Sequence, residues 1–203
     1  MKDRLLTLAL AVGALAAFYV VVAPKPDPPQ DRVTRPLSTE AGPNGYLGLQ
    51  RWFEAAKIPA FSLPRSDGSA WKTADAKGGN LVLYFYPKDM TPGCTLEGQD
   101  FRDLHAAFKR AKTTVLGISK DSCERHAKFR AKEKFPFELL SDEDETVCRL
   151  FDVIREKSLY GRKFMGIERS TFLIDSAGRL AREWRKVRVK GHAAEVLEAA
   201  KAL

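Results

Sequence analysis

Six apolar residues in a row, Leu81-Val-Leu-Tyr-Phe-Tyr86, follow Gly78-Gly79-Asn80 and stop at Pro87. A run without alternation, rich in aromatic and branched side chains, predicts a central strand covered on both faces. Pro87 and Pro92 cannot donate to a ladder, so the chain must turn there, and Gly93 gives the turn a permissive backbone. Beyond Cys94, apolar residues at 101, 104 and 108 fall at helical spacing. The pattern predicts strand, tight loop and helix, with Cys94 in the first helical turn.

The same reading extends along the chain. Phe61-Ser-Leu-Pro64 and Arg65-Ser-Asp-Gly68 predict an opening strand and turn. Thr113 to Ser119 predicts a second strand, and Asp121 or Ser122 caps a helix over 123–134. Phe135 to Leu140 predicts a third strand, and Ser141-Asp-Glu-Asp-Glu145 opens a capped helix containing Cys148. Residues 169–175 and 180–187 predict a hairpin about Ser176-Ala-Gly178, followed by an amphipathic helix from Gly191 to Leu203. The order β-α-β-α-β-α-β-β-α predicts an α/β domain over residues 55–203, a mixed central sheet flanked by helices.

The start of the chain has a different pattern. Leu5 to Ala23 is a 19-residue stretch without a charge, apolar on every side. It is long enough to span a ~30 Å hydrocarbon core. The run reads as an uncleaved transmembrane anchor over residues 1–23 rather than a signal peptide, because Val21-Val-Ala23 is a weak cleavage site. Lys2 and Arg4 precede it, which predicts an extracytoplasmic (periplasmic) position for the rest of the chain. Residues 24–54 form a linker, with five prolines in the thirteen residues Pro24 to Pro36. That composition predicts an extended spacer. Tyr46 to Ala56 could form a short amphipathic helix.

Composition narrows the function. The 203 residues are 44% hydrophobic, enough for one well-cored domain, and the formal net charge is +8. Lys and Arg are interleaved with Asp and Glu, so the charge reads as a solvated surface and no nucleic-acid partner is expected. The densest cluster, Arg179 to Lys190, alternates as an exposed strand and is assigned no ligand. Three cysteines at 94, 123 and 148 include no Cys-x-x-Cys pair, which argues against a dithiol oxidoreductase and a zinc site. His105, His126 and His192 are scattered and read as surface or helix-cap residues. A thiol at the start of a helix faces unpaired N–H groups and a partial positive charge, a setting that favours thiolate. Cys94 is therefore the candidate nucleophile.

The residues around it carry a resemblance. Tyr84-Phe-Tyr-Pro-Lys-Asp-Met-Thr-Pro-Gly-Cys-Thr95 resembles the peroxidatic-cysteine motif of peroxiredoxins, in the bacterioferritin comigratory protein (peroxiredoxin Q) branch. The likeness continues through 116–122, 139–142, 156–162 and 166–175, and covers roughly Ala55 to Leu203. It implies a thioredoxin-like fold and a thiol-dependent peroxidase that reduces hydrogen peroxide and organic hydroperoxides in antioxidant defence. No metal, haem or flavin cofactor is implied, a thioredoxin-like protein is the expected electron donor, and a monomer is expected. By resemblance Cys94 attacks the peroxide, Thr91 and local N–H groups hold its oxygens, and Pro87 shields the sulfur. Arg169 matches the active-site arginine of the family, and Glu97 a residue that supports the loop.

The chain departs from the family at the thiol that resolves the sulfenic acid. Branch members carry it at the positions held here by Gln99 or Arg130. Cys123 stands two helical turns before Arg130, on nearly the same face, and is the resolving candidate. Resolution by an external thiol, or by Cys148, stays open, although Cys148 beside Val147, Leu150 and Phe151 suggests a core thiol. Two other functions compete: a membrane-tethered disulfide oxidoreductase on the same fold, and a redox sensor that uses Cys94 oxidation as a signal.

Overall fold

The computed structural model describes residues 57–76, 78–159 and 162–203. The apolar stretch 5–23, the proline-rich spacer and the 46–56 segment lie outside them. Among the described residues no helix is long and apolar enough to cross a membrane. The longest of them, Pro92–Asp103, has 12 residues, about 18 Å of helix against a hydrocarbon core of ~30 Å. The expectation of a membrane-anchored domain on the extracytoplasmic side is corrected on this ground.

Strands β1 (Ser62–Pro64) and β2 (Ala70–Lys72) pair as a small antiparallel hairpin. Next come β3 (Asn80–Phe85), α1 (Pro92–Asp103), α2 (His105–Arg110), β4 (Thr113–Ser119), α3 (Cys123–Glu133) and β5 (Glu138–Ser141). A short helix α4 (Thr146–Leu150) leads to a second hairpin, β6 (Ile154–Leu159) with β7 (Arg162–Ile167). Strands β8 (Ser170–Ile174) and β9 (Leu180–Trp184) and helix α5 (His192–Lys201) complete the described residues.

Five strands form one mixed sheet in the order β5-β4-β3-β8-β9. β3, β4 and β5 are parallel, while β8 and β9 run antiparallel to their neighbours. β3 lies in the middle, which explains its unbroken apolar run. Leu81, Leu83 and Phe85 join a core with Trp71, Val147 and Phe172 on one face. Val82, Tyr84 and Tyr86 join a second core with Phe101, Phe108, Phe129 and Val196 on the other. Each large side chain sealed this way contributes about 1.5–3 kcal/mol. Tyr84 stacks on Phe101 of α1 at 4.8 Å, which fixes that helix over the sheet. Gly98 makes the same packing possible on the other flank, because a Cβ there would meet the Phe135 ring at 2.4 Å.

The structure departs from the sequence pattern in four places. The helix after Cys94 is broken at Leu104, whose ψ is 0°, into α1 and α2. The step lets Phe101 and Phe108 meet with centroids 5.8 Å apart, whereas seven residues of continuous helix rise about 10 Å. The third strand begins at Glu138 rather than Phe135, because Pro136 has no N–H to pair and Lys134 turns left-handed at φ 54°. The left-handed residue in the loop before α1 is Met90, at φ 60°, not Gly93, which the helix has already taken up. Finally, the β6–β7 hairpin went unrecognised, since its exposed strands carry little apolar alternation.

Candidate active site

The loop from β3 to α1 is short and closely anchored. Tyr86 donates its N–H to Ile118 O at 3.1 Å, the last bond before the chain leaves the sheet. Met90 then takes the left-handed conformation, a strain that neighbouring bonds must hold. Thr91 is the N-cap residue of α1, and Pro92 opens the helix, where its missing N–H costs nothing. The Thr91 hydroxyl does not cap the helix; it donates to Lys88 O at 3.0 Å and closes the loop on itself. Cys94 is therefore the third residue of α1, and 2% exposed. Pro87, seven residues earlier, is half-buried.

A second element reaches this sulfur. Ser170 at the start of β8 is the register partner of Phe85 at the end of β3. The preceding residue, Arg169, thus comes alongside the point where β3 becomes the loop, and its carbonyl is fixed by Val187 N–H at 3.0 Å. Arg169 Nη2 donates to Cys94 Sγ at 3.3 Å, and Nη1 pairs with the Glu97 carboxylate. The guanidinium is thus shared between two acidic groups on one helix, and is not paired with its neighbour Glu168. Burial works against its charge, but Glu97 and Cys94 more than offset this and raise its pKa.

Glu97 is 1% exposed, and its Oε1 has no hydrogen-bond partner among the described residues. Burial pushes its carboxyl up to about 7, against the opposing pull of Arg169. Lys157 of β6 also faces this site. Its Nζ donates to Ile167 O at 2.5 Å, and burial first, then Arg169, lowers its pKa. Sequence reading missed Lys157, because nothing in its local pattern marks the strand it sits on.

Sequence reading also misjudged the histidines. His126 is fully buried rather than at the surface, and so is Asp89 of the active-site loop. His126 Nδ1 lies 2.8 Å from Asp89 Oδ2, and Nε2 lies 3.2 Å from Leu140 O. Tyr86 donates its hydroxyl to Asp89 Oδ1 at 2.7 Å. The Asp89 N–H donates to Asp121 Oδ2 at 2.8 Å, and its carbonyl accepts from Arg125 at 3.2 Å. One loop residue is thereby tied to three residues around the start of α3. The signal was available: His126 and Phe129 are three apart, on one buried helical face. His192 is also buried, with Nε2 2.8 Å from the Thr171 hydroxyl.

The remaining thiols differ. Cys123 is half-buried and opens α3, behind the Ser122 cap that accepts from Arg125 N–H. All three cysteines are free. Gln99 donates to Glu133 at 2.9 Å, and Arg130 pairs with Glu138 at 2.8 Å, so both positions that carry a resolving cysteine in the branch serve here as packing ties. Cys148 is a core thiol, fully buried. Among the described residues no group of three His, Cys, Asp or Glu could hold a metal ion.

The chain has counterparts among known proteins. The AhpC/TSA family model matches residues 55–183. Peroxiredoxin Bcp of Bacillus subtilis strain 168 is 51% identical over 145 residues, 71% of this chain and 92% of that protein. Peroxiredoxin Bcp of Xanthomonas campestris is 52% identical over 150 residues, 72% of this chain and 94% of that protein. A solved structure of the Xanthomonas campestris bacterioferritin comigratory protein, described for its alkyl peroxide reduction activity, superposes with a TM-score of 0.68. It is 49% identical and covers 73% of this chain and 94% of its own. These relatives are matched almost end to end by part of this chain, so the likeness brings no membrane anchor with it. It also gives no support to a tethered disulfide oxidoreductase or a redox sensor. The chain belongs to the AhpC/TSA family, and it is a thiol-dependent peroxidase.

Proposed function

We propose that Cys94 is the peroxidatic nucleophile and that the substrates are hydrogen peroxide and organic hydroperoxides. The observation that carries this reading is the Arg169 guanidinium on the Cys94 sulfur, at 3.3 Å. A fixed cation there holds the sulfur in place and remains as charge moves onto the departing oxygen. The Cys94 thiolate attacks the terminal peroxide oxygen, an S–O bond forms as the O–O bond breaks, and the alkoxide or hydroxide takes up a proton. Cys94 becomes a sulfenic acid, and water or alcohol leaves. Thr91 and the free N–H groups at the start of α1 are assigned to the peroxide oxygens, and Pro87 to shielding the sulfur. The alkyl peroxide reduction described for the Xanthomonas campestris relative supports the wider substrate class.

Cys123 is the proposed resolver, and a thioredoxin-like protein the proposed electron donor. In favour of Cys123, its neighbours Asp121, Arg125 and His126 all touch Asp89 in the active-site loop. A disulfide needs Cα atoms within about 7 Å, and the reading has Cys94 leave the first turn of α1 to pair with Cys123.

Intact-mass measurement after one equivalent of hydrogen peroxide tests both assignments, on wild type, Cys94→Ser and Cys123→Ser. The expected wild-type result is loss of two hydrogens with a Cys94–Cys123 crosslink, and Cys123→Ser should instead gain one oxygen. A wild type that gains one oxygen and shows no crosslink assigns resolution to an external thiol. An unreactive Cys94 removes the assignment of the nucleophile.

A further inference from the structure

Arg169 touches two acids at once, and holding the Cys94 sulfur does not require the second. An arginine that only had to stabilise the Cys94 sulfur could take its orientation from a backbone carbonyl. Here one N–H points at sulfur and another at Glu97, both groups nearly sealed from solvent. With both acids ionised, the Arg169 guanidinium would be divided between two buried anions. Glu97 Oε1 would then be a charged oxygen with no donor, since it has no hydrogen-bond partner among the described residues. A proton on that oxygen removes the excess charge and leaves Oε2 to accept from Arg169.

Resting on the assignment of Cys94 as nucleophile, we propose that Glu97 is a positioning residue that works as a neutral carboxylic acid. Its protonation state decides how much of the Arg169 charge reaches the sulfur. With the proton on Glu97, Arg169 orients through a neutral oxygen and its charge serves the Cys94 thiolate and the oxygens that gain charge during attack. Without it, the Glu97 carboxylate claims the same guanidinium, and the sulfur and leaving oxygen lose part of their support.

The surroundings agree. From its own helix Asp100 adds negative charge that disfavours ionisation of Glu97, and burial holds its carboxyl near 7. From β3, Tyr84 is buried and pushed well above its ordinary range, by burial first and then by Glu97, so it stays neutral and adds no charge. Asp89 in the loop also faces Tyr84. From β6, Lys157 faces Arg169, Glu168 and Cys94, and burial first, then Arg169, lowers its pKa.

The reaction then has a pH limit: it needs acid at Glu97, which sets a falling limb above about 7. The test is the second-order rate of Cys94 oxidation by hydrogen peroxide against pH, for the full chain and for Glu97→Gln and Glu97→Asp. Gln keeps an oxygen for Arg169 but cannot titrate; Asp keeps a titrating carboxyl. Wild type should lose about tenfold in rate across the two pH units above neutral. Glu97→Gln should show no falling limb, and Glu97→Asp should retain one at lower rate. A merely structural Glu97 would change the height of the curve and not its shape. Curves of one shape for wild type and Glu97→Gln, or a wild type with no falling limb, would overturn the proposal. Failure of Cys94 to react with peroxide at any pH, with neither oxygen gained nor a disulfide formed, is a separate outcome: it removes the nucleophile assignment, and the proposal with it.

Discussion

Two thiols in this fold occupy the same local position and have opposite surroundings. Cys94 is the third residue of α1 and Cys148 the third residue of α4. Both are buried, at 2% and 0% exposure, on opposite faces of the sheet. Beyond that they part. Cys94 receives a guanidinium N–H from another strand, while the backbone N–H of Cys148 is taken by Asp142 Oδ2 at 2.6 Å. Burial first, then the Asp142 carboxylate, push the Cys148 thiol far above the ordinary thiol range. A helix start therefore does not by itself activate a cysteine. The partial charge of the helix end is small, and the full charge brought in by the tertiary fold decides between a nucleophile and a core residue.

The most severe way to break this contrast is to remove each sulfur in turn. Cys94→Ser should abolish peroxide consumption, because a hydroxyl at neutral pH is no nucleophile for an O–O bond. Cys148→Ser should leave the rate of Cys94 oxidation unchanged, and lower stability by about 1 kcal/mol, the scale of an imperfectly placed buried polar group. Stopped-flow peroxide assays and denaturant unfolding would read both. A Cys148→Ser protein that folds and yet fails to turn over would show that the two thiols act together, against their separate environments.

The next test removes the guanidinium fork and keeps the charge. Arg169→Lys retains a cation but offers a point charge instead of two fixed N–H groups, so it cannot reach Cys94 and Glu97 together. Oxidation of Cys94 should slow by about 100-fold, the usual cost of losing one preorganised donor, with the unfolding midpoint little changed. A rate within a few-fold of wild type would mean that charge alone distinguishes the two thiols, and that the bonding geometry around Cys94 is incidental.

Much of this site was legible in the chain, for a physical reason. The strand–loop–helix around Cys94 is written in local signals: an unbroken apolar run, two prolines and a helical repeat. β4, which has no irregularity, spans Thr113–Ser119 as the sequence predicted. What was not legible depends on contacts distant in sequence. Asp89 and His126 are 37 residues apart and form a buried pair that no local pattern reports. Lys157 lies on a hairpin outside the main sheet, each strand of which brings a single isoleucine, Ile154 or Ile167, to the core. Gly93 was read only as a permissive turn residue, and the left-handed position falls instead on Met90, where the anchored loop holds the strain. Arg169 could be matched to a family position, but its division between Cys94 and Glu97 follows from the pairing of β3 with β8.

The mildest perturbation acts at the other end of the contrast. Asp142 accepts from Val147 N–H at 3.1 Å and Cys148 N–H at 2.6 Å, one bond to each oxygen. Asp142→Asn keeps one acceptor and turns the other into an NH2 facing an N–H, at a cost of about 1–3 kcal/mol. It also removes the anion that helps hold the Cys148 thiol high. Burial is the larger cause of that shift, and burial is untouched, so Cys148 should remain unreactive to peroxide. Its alkylation through local opening should speed up only as far as the lost stability accounts for. Mass mapping of each cysteine after limited alkylation and after peroxide would separate the two effects. A Cys148 sulfenic acid in Asp142→Asn would mean that the neighbouring anion alone kept this thiol silent. Its absence would mean that a reactive thiol in this fold needs a cation brought to it, as Arg169 is brought to Cys94, and not merely the removal of an opposing charge.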